Sequence, residues 1–439
     1  MKFSRLISFL IFGFACTITS AQENWKFEFG KETHAVSTNI ITENVRFSNE
    51  TGFGFDIENQ DHVRIVSPAD HEPGYCTADV PFYFSAKVPE GTYEVIILAG
   101  NPVMPSELTV KAEARRLMID RLALEKGETA ELKFTVSVRS PLISEGKSIQ
   151  LKPREENYMN WDNRLSLEFS GTNQAILKIE IRPKKNYTTI FLAGNSTVTD
   201  QDREPWASWG QMITPYFDQS VSVANYAESG ESLASFKASG RLDKVLSMMK
   251  PGDYLFIEFG HNDQKRKGEG IGPWTSYTDL LKEFIIRSRE KGGIPVLLTP
   301  TQRRSFNKRG RIEYTHGDYP DAMRKVAREM DVPLIDLNRM TKKMYESWGP
   351  DDSKKAFVHY PEGTFPGQES ALEDNTHFNS FGAHEIALCV LSGIMENELD
   401  IDGTIIHFKA PYDPHHPNRF SDWHLPMSPR FISKKTEGN

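Results

Sequence analysis

Ser196, Asp374 and His377 are the residues of this 439-residue chain whose types could together support nucleophilic catalysis. A serine hydroxyl needs a base to take its proton, and an imidazole serves best when an acid holds its other nitrogen. Asp374-Asn375-Thr376-His377 supplies acid and imidazole three residues apart, a spacing that can set both on one side of a turn. Ser196 stands in Gly194-Asn195-Ser196-Thr197-Val198, directly after an apolar run and without the flanking glycine that closes G-x-S-x-G, where Val198 stands. Two further loops offer donors to a developing oxyanion. Gly230, in Ala227-Glu228-Ser229-Gly230-Glu231-Ser232, has no Cβ to keep its N–H from a ligand, and Asn262, in Gly260-His261-Asn262-Asp263, carries an amide. With the N–H of Ser196 they would form an oxyanion hole. Each stretch also has a plain reading: Ser196 as a turn former or cap, Gly230 as a loop glycine, Asn262 or Asp263 as an N-cap, Asp374 as a turn residue and His377 as a packing histidine. Taken together they support acyl transfer through an acyl-enzyme.

The elements that must position these loops follow from a change of period. From about residue 25 to 182 apolar and polar residues alternate, as in Leu132-Phe134-Val136-Val138, Leu165-Leu167-Phe169 and Leu177-Ile179-Ile181. Period two predicts half-buried strands and an all-β sandwich. Pro89-Glu90-Gly91 between residues 82–88 and 92–98 predicts a hairpin there. After Pro183 short apolar runs, at 188–193, 222–226, 254–259, 294–299 and 332–337, alternate with helical segments at 206–217, 233–249, 277–291 and 321–330. A further helix is expected to begin near Ser380. This alternation predicts an α/β domain with a parallel sheet, whose ligands bind beyond the carboxyl ends of the strands, where the four loops lie. The chain therefore divides into a leader at 1–21, a β-sandwich at 22–185 and a catalytic domain at 186–439 whose Pro- and aromatic-rich tail wraps back over it.

At these residues the sequence resembles the SGNH hydrolases, whose blocks are a Ser after the first strand, a Gly, an Asn within G-x-N-D and a D-x-x-H near the C-terminus. The stretches TIFLAGNSTV, NYAESGESLASF, FIEFGHNDQK and DNTHFNSFGA are most similar to the rhamnogalacturonan acetylesterase branch, over about residues 187–398. The resemblance implies a flavodoxin-like sheet, a catalytic triad of Ser196, Asp374 and His377, and removal of acetyl groups from pectin without a cofactor. Two positions depart from the branch pattern: Asn195 where Asp usually precedes the nucleophile, and Glu258 where Gln is usual. The N-terminal sandwich resembles galactose-binding-like modules.

Composition bounds the partners. Lys2 and Arg5 precede an apolar run from Leu6 to Ala15 and a small-residue stretch ending at Ala21, the pattern of a secretory signal peptide; export to the periplasm or medium follows. Cys16 would permit lipidation, but Gly13 stands where a lipoprotein signal usually has Leu. No later run is long enough for a spanning helix. The formal net charge is −8, which gives nucleic acid no general attraction. Cys76 and Cys389 fall in different domains, so no disulfide framework is expected. An acidic polysaccharide approaching such a chain needs local cations. Arg303 and Arg304, followed by Lys308, Arg309 and Arg311, supply them, with Arg303 or Arg304 expected to pair with carboxylates. Trp206, Trp209, Trp274 and Phe306 are candidates for sugar stacking or core, and His415, His416 and His424 lack the spacing of a metal site. Oligomeric state is not legible. Rival readings are another activity of the same family, such as deacetylation of xylan or another glycan or hydrolysis of a lipid ester, and a glycan-binding protein that keeps the fold without catalysis.

Overall fold

A computed structural model describes residues 24–30, 38–68 and 72–432; the leader sequence and Cys16 lie outside the described residues. In the N-terminal half two sheets face each other. One runs in the order Ala130–Val138, Gly91–Ala99, Ile176–Pro183, Trp25–Phe29, Asn39–Ile41, with Tyr75–Thr77 and Arg64–Val66 joined at its side. The other runs Phe53–Asp56, Phe82–Lys87, Arg164–Thr172, Ser106–Ala112, Arg116–Leu124. Inward residues of both, among them Phe27, Phe84, Val95, Ile97, Leu167 and Ile179, form one apolar core.

The expected hairpin is not formed. Phe82–Lys87 and Gly91–Ala99 belong to opposite sheets, so Pro89-Glu90-Gly91 carries the chain across the sandwich. Alternation and a turn signal read the same for a hairpin and for an arch, because in both cases the two apolar faces meet one core. A register shift between Ile176 and Lys178 also breaks the alternation read through Leu177. That residue packs with Tyr75 and Ala175 outside the main core, while Ile179 and Ile181 remain inside it.

The second half is a five-stranded parallel sheet in the order Val221–Asn225, Thr188–Gly194, Tyr254–Glu258, Ile294–Leu298, Leu334–Ile335. Ile190 and Leu192 point to one core, under Trp209 and helices Leu337–Asp352 and Ser380–Glu396. Phe191 and Ala193 point to the other, under helices Leu233–Ala238, Arg241–Met248, Thr278–Glu290 and Tyr319–Met330. Strand order reverses between the first and third strands, the point where an open α/β sheet binds ligand. Helix Leu337–Asp352 went unread in the sequence, although Leu337, Met340, Met344, Tyr345 and Trp348 carry helical spacing. Among the described residues no helix is long and apolar enough to cross a membrane, and Cys76 and Cys389 are free and buried.

The halves meet through buried charge. Arg116 Nε and Arg139 Nη2 reach Asp200 at 3.1 and 3.2 Å, Arg115 Nη2 reaches Glu204 at 2.5 Å, and Arg241 Nη2 reaches Glu155 at 2.5 Å. Ile149 packs in the core beneath Leu233 and Leu242, so the excursion before the last sandwich strands lies against the parallel-sheet half. Phe408, Tyr412, Phe420 and Trp423 of the tail pack on the parallel-sheet core, and Pro426 O and Ser428 Oγ accept from Lys111 Nζ of the sandwich.

Candidate active site

Ser196 is set by a tight turn at the end of Thr188–Gly194. Asn195 O accepts from the N–H groups of Val198 and Thr199 at 3.1 and 3.0 Å, and Gln201 Nε2 donates to Ser196 O at 2.8 Å. A Cβ on Gly194 would lie 2.5 Å from Val198 Cγ2, so the turn closes only over glycine. Opposite it, Phe357–Tyr360 pairs with Leu372–Phe378, but Phe357 faces Phe378 while His359 faces Glu373. Residues 374–377 bulge from the ladder, and the bulge aims the acid and imidazole at the serine.

Asp374 Oδ1 accepts from the N–H groups of Thr376 and His377 at 2.8 and 3.0 Å. Its Oδ2 accepts from His377 Nδ1 at 2.7 Å, which leaves Nε2 of a neutral ring to accept from Ser196 Oγ at 2.8 Å. All three residues are buried. Burial alone would push the Asp374 carboxyl up; the hydrogen bond and charge of His377 and the two backbone N–H groups outweigh it and hold the carboxyl well below the usual range.

The donor loops share an anchor. Asp263 accepts from Leu233 N at 2.9 Å and Gly260 N at 3.0 Å, tying the loop after the third strand to the helix after the second. Burial pushes this carboxyl up to about 6, against the pull of those N–H groups. Asn262 Nδ2 donates one hydrogen to Glu231 O at 3.1 Å, which orients the amide and keeps its second N–H for another acceptor. Gly230 has φ +83°, a conformation that glycine adopts without strain.

Arg303 and Arg304 lie beside these loops, half-buried, with donors already engaged. Arg303 donates to His261 O at 3.2 Å and stands 3.4 Å from His316 Nε2; Arg304 donates to Asn375 Oδ1 at 2.7 Å, Ser353 Oγ at 3.1 Å and Pro350 O. Those contacts brace the GHND and D-x-x-H loops. His261 and His316 stack edge to face at 4.5 Å; burial, with His316 and Arg303 adding to it, holds the His261 ring well below its usual value, and burial with Arg303 pulls His316 down to about 3. Trp206 and Trp209 are core residues and Phe306 packs on the core, whereas Trp274 is 47% exposed. His416 pairs with Asp413 at 2.7 Å at the surface.

The two departures from the family pattern meet at Thr197. Its hydroxyl lies 3.0 Å from Asn195 Oδ1 and 2.9 Å from Glu258 Oε1, while Trp209 Nε1 donates to Glu258 Oε2 at 2.6 Å. Sequence reasoning missed Lys152 and Arg154, which reach from the N-terminal half to Ser229 O, next to Gly230, at 2.5 and 2.7 Å. Only the folded chain joins positions 77 and 75 residues apart.

Residues 192–383 match the model of the GDSL-like lipase/acylhydrolase family. The chain is 44% identical over 219 residues to the rhamnogalacturonan acetylesterase RhgT of Bacillus subtilis (strain 168), covering 49% of this chain and 94% of that protein. It is 25% identical over 393 residues to the uncharacterized esterase YxiM of the same organism, covering 86% of this chain and 92% of the relative. A crystal structure of the YxiM protein superimposes with a TM-score of 0.44 at 21% identity, over 86% of this chain and 99% of that one. With its blocks in order along residues 192–383, and nearly the whole of one relative matched at 44% identity, the chain belongs to the GDSL-like lipase/acylhydrolase family.

Proposed function

We propose that the protein is an exported serine esterase that removes acetyl groups from an acidic pectic polysaccharide of the rhamnogalacturonan type. The observation that carries this reading is the continuous relay from Asp374 Oδ2 through His377 to Ser196 Oγ, at 2.7 and 2.8 Å. Ser196 Oγ attacks the acetyl carbonyl as His377 Nε2 takes its proton, and Asp374 stabilises the imidazolium. The tetrahedral oxyanion takes hydrogen bonds from the N–H groups of Ser196 and Gly230 and from the Asn262 amide. His377 returns the proton to the departing sugar hydroxyl, leaving acetyl-Ser196. Water then attacks that ester with His377 again as base, and acetate leaves. The named relatives support the substrate class, and the sandwich is read as galactose-binding-like.

Acetate release from a panel of acetylated polysaccharides, run beside Ser196→Ala, tests the proposal. The variant should lose about 10⁴- to 10⁶-fold in kcat. Asn262→Ala should lose about 10²–10³-fold in kcat with KM little changed. Equal rates with and without the Ser196 hydroxyl would remove the mechanism, and release from xylan alone would replace the substrate.

A further inference from the structure

A cavity of about 590 Å³ opens where the segment from Lys152 to Tyr158 of the N-terminal half faces the loop from Gln201 to Trp206 that follows the nucleophile. Volumes of this order hold one or two sugar rings. Its wall is tied to the backbone of two loops of the candidate site: Gln201 donates to Ser196 O, and Lys152 and Arg154 donate to Ser229 O beside Gly230. Three cations, Lys152, Arg154 and Arg203, line it against one carboxylate, Asp202, in a chain whose net charge is −8. Asp202 is itself held by Arg203 at 3.3 Å and by Arg430 at 3.1 Å. Glu231 and Glu228, which pair with Lys152 and Arg154 at 2.8 and 2.7 Å, are buried behind the wall.

The floor adds an independent sign of a ligand. Trp206 is 1% exposed, lines the cavity, and its indole N–H has no acceptor among the described residues. A buried donor left unmade costs stability, and an acceptor brought by a ligand would relieve that cost. Tyr158 offers a half-buried ring beside it, a surface on which an apolar sugar face can lie. Donor side chains, positive charge and an aromatic wall suit a ligand that is anionic, rich in acceptors and ring-shaped.

We propose that this cavity is a subsite for a hexuronate residue of the glycan, next to the sugar whose acetyl group reaches Ser196. The carboxylate takes Arg203 and Lys152, and a ring or hydroxyl oxygen takes the Trp206 N–H. This rests on the esterase reading above and assigns to the N-terminal half a share in substrate choice. Only the folded junction of the two halves makes the site.

The test uses the full-length enzyme on two forms of one acetylated rhamnogalacturonan, native and with its uronate carboxyls reduced to alcohols. The wild type is expected to prefer the acidic polymer by about tenfold or more in kcat/KM, the scale of a hydrogen bond to a charged group. Arg203→Gln, at a position 43% exposed, should erase most of that preference, chiefly through KM. Trp206→Phe should raise KM on both polymers by about five- to tenfold, since the indole donor serves an oxygen that both retain. Equal rates of the wild type on both polymers would overturn the subsite and leave the esterase reading intact. An unchanged preference in Arg203→Gln, with native thermal unfolding, would do the same. Release from neither polymer, with a small aryl acetate still cleaved, would overturn the substrate reading and this subsite with it.

Discussion

The interior of the N-terminal sandwich and the seam between the two halves are equally buried, yet they are filled by opposite chemistry. Between the sandwich sheets lie apolar side chains, most of them aromatic or branched, with Phe84 in ring contact with Phe27, Phe29 and Phe55. In the seam lie Arg115, Arg116, Arg139, Arg241 and their carboxylates. An apolar core tolerates small changes of shape at modest cost and is indifferent to direction. A buried ion pair is directional, and it fails badly when one partner goes. The seam therefore specifies how the halves meet, and the catalytic loops gain from that. Asp200, four residues past Ser196, takes Arg116 and Arg139 on one oxygen and Asn225 Nδ2 at 2.8 Å on the other; the same Asn225 nitrogen donates to Val198 O at 2.7 Å.

The harshest break of that contrast is Asp200→Ala, which strands two buried guanidinium groups. It should cost about 3–5 kcal/mol in urea unfolding and also lower kcat, because the Ser196 turn loses its brace. Ile179→Val in the sandwich core should cost about 0.5–1.5 kcal/mol and leave kcat unchanged. If both variants lost activity only in proportion to stability, the seam would be ordinary packing.

The contrast also explains what could be read from the chain. Ser196, Asn262, Asp374 and His377 stood out only as a set, because strand-helix alternation placed their short stretches, each with a plain reading of its own, at one sheet edge. The parallel sheet was legible because short apolar runs alternate with helical segments; the two cores that one such run feeds, Ile190 and Leu192 on one face and Phe191 and Ala193 on the other, came from the structure. Pairing across the sandwich was not, since alternation fixes which side of a strand is buried but names no neighbour. The seam was the least legible part. Arg116 and Asp200 are far apart in sequence, and nothing around either residue distinguishes it from a surface charge. Arg303 and Arg304 show the converse: their charge was conspicuous, but their neighbours His261, Asn375 and Ser353 became visible only on folding.

Glu258 sharpens the contrast, because it is as deeply buried as Asp200 but is met by Thr197, Trp209 and the Thr301 N–H rather than by a guanidinium. Burial pushes its carboxyl up to about 7, and those hydrogen bonds oppose the push only in part. Below the ordinary value of 4.5 both folded and unfolded chains hold the proton, and no stability is lost. Between that value and 7 the unfolded chain releases the proton while the folded chain keeps it, so stability falls by an amount on the order of 3 kcal/mol by the time both are ionised. Glu258→Gln keeps a donor toward Thr197 and an acceptor for Trp209 at every pH. The gap in melting temperature between variant and wild type should therefore widen in the variant's favour from pH 5 to pH 8. A gap independent of pH would mean that Glu258 is ionised throughout.

The finest test separates the value of a seam pair from the penalty of breaking one. Arg241 Nη2 lies 2.6 and 2.5 Å from the two Glu155 oxygens, and Glu155 also accepts from Lys152 N at 2.9 Å and Trp161 Nε1 at 3.2 Å. Glu155→Gln leaves a buried guanidinium without its anion, and Arg241→Met leaves a buried carboxylate without its cation. The double variant carries neither charge, and the amide oxygen introduced at position 155 can still accept from the backbone or the indole. If directionality rather than net attraction keeps this pair, the double variant should be more stable than either single one, with a coupling of about 0.5–3 kcal/mol in a double-mutant cycle. Its kcat/KM on the glycan should nevertheless fall below wild type, because Glu155 holds the Lys152 N–H and closes the turn that carries Lys152 and Arg154, whose hold on Ser229 loosens with it. Additive losses would show that the pair contributes as two independent contacts, and the seam would then differ from the sandwich core in composition alone.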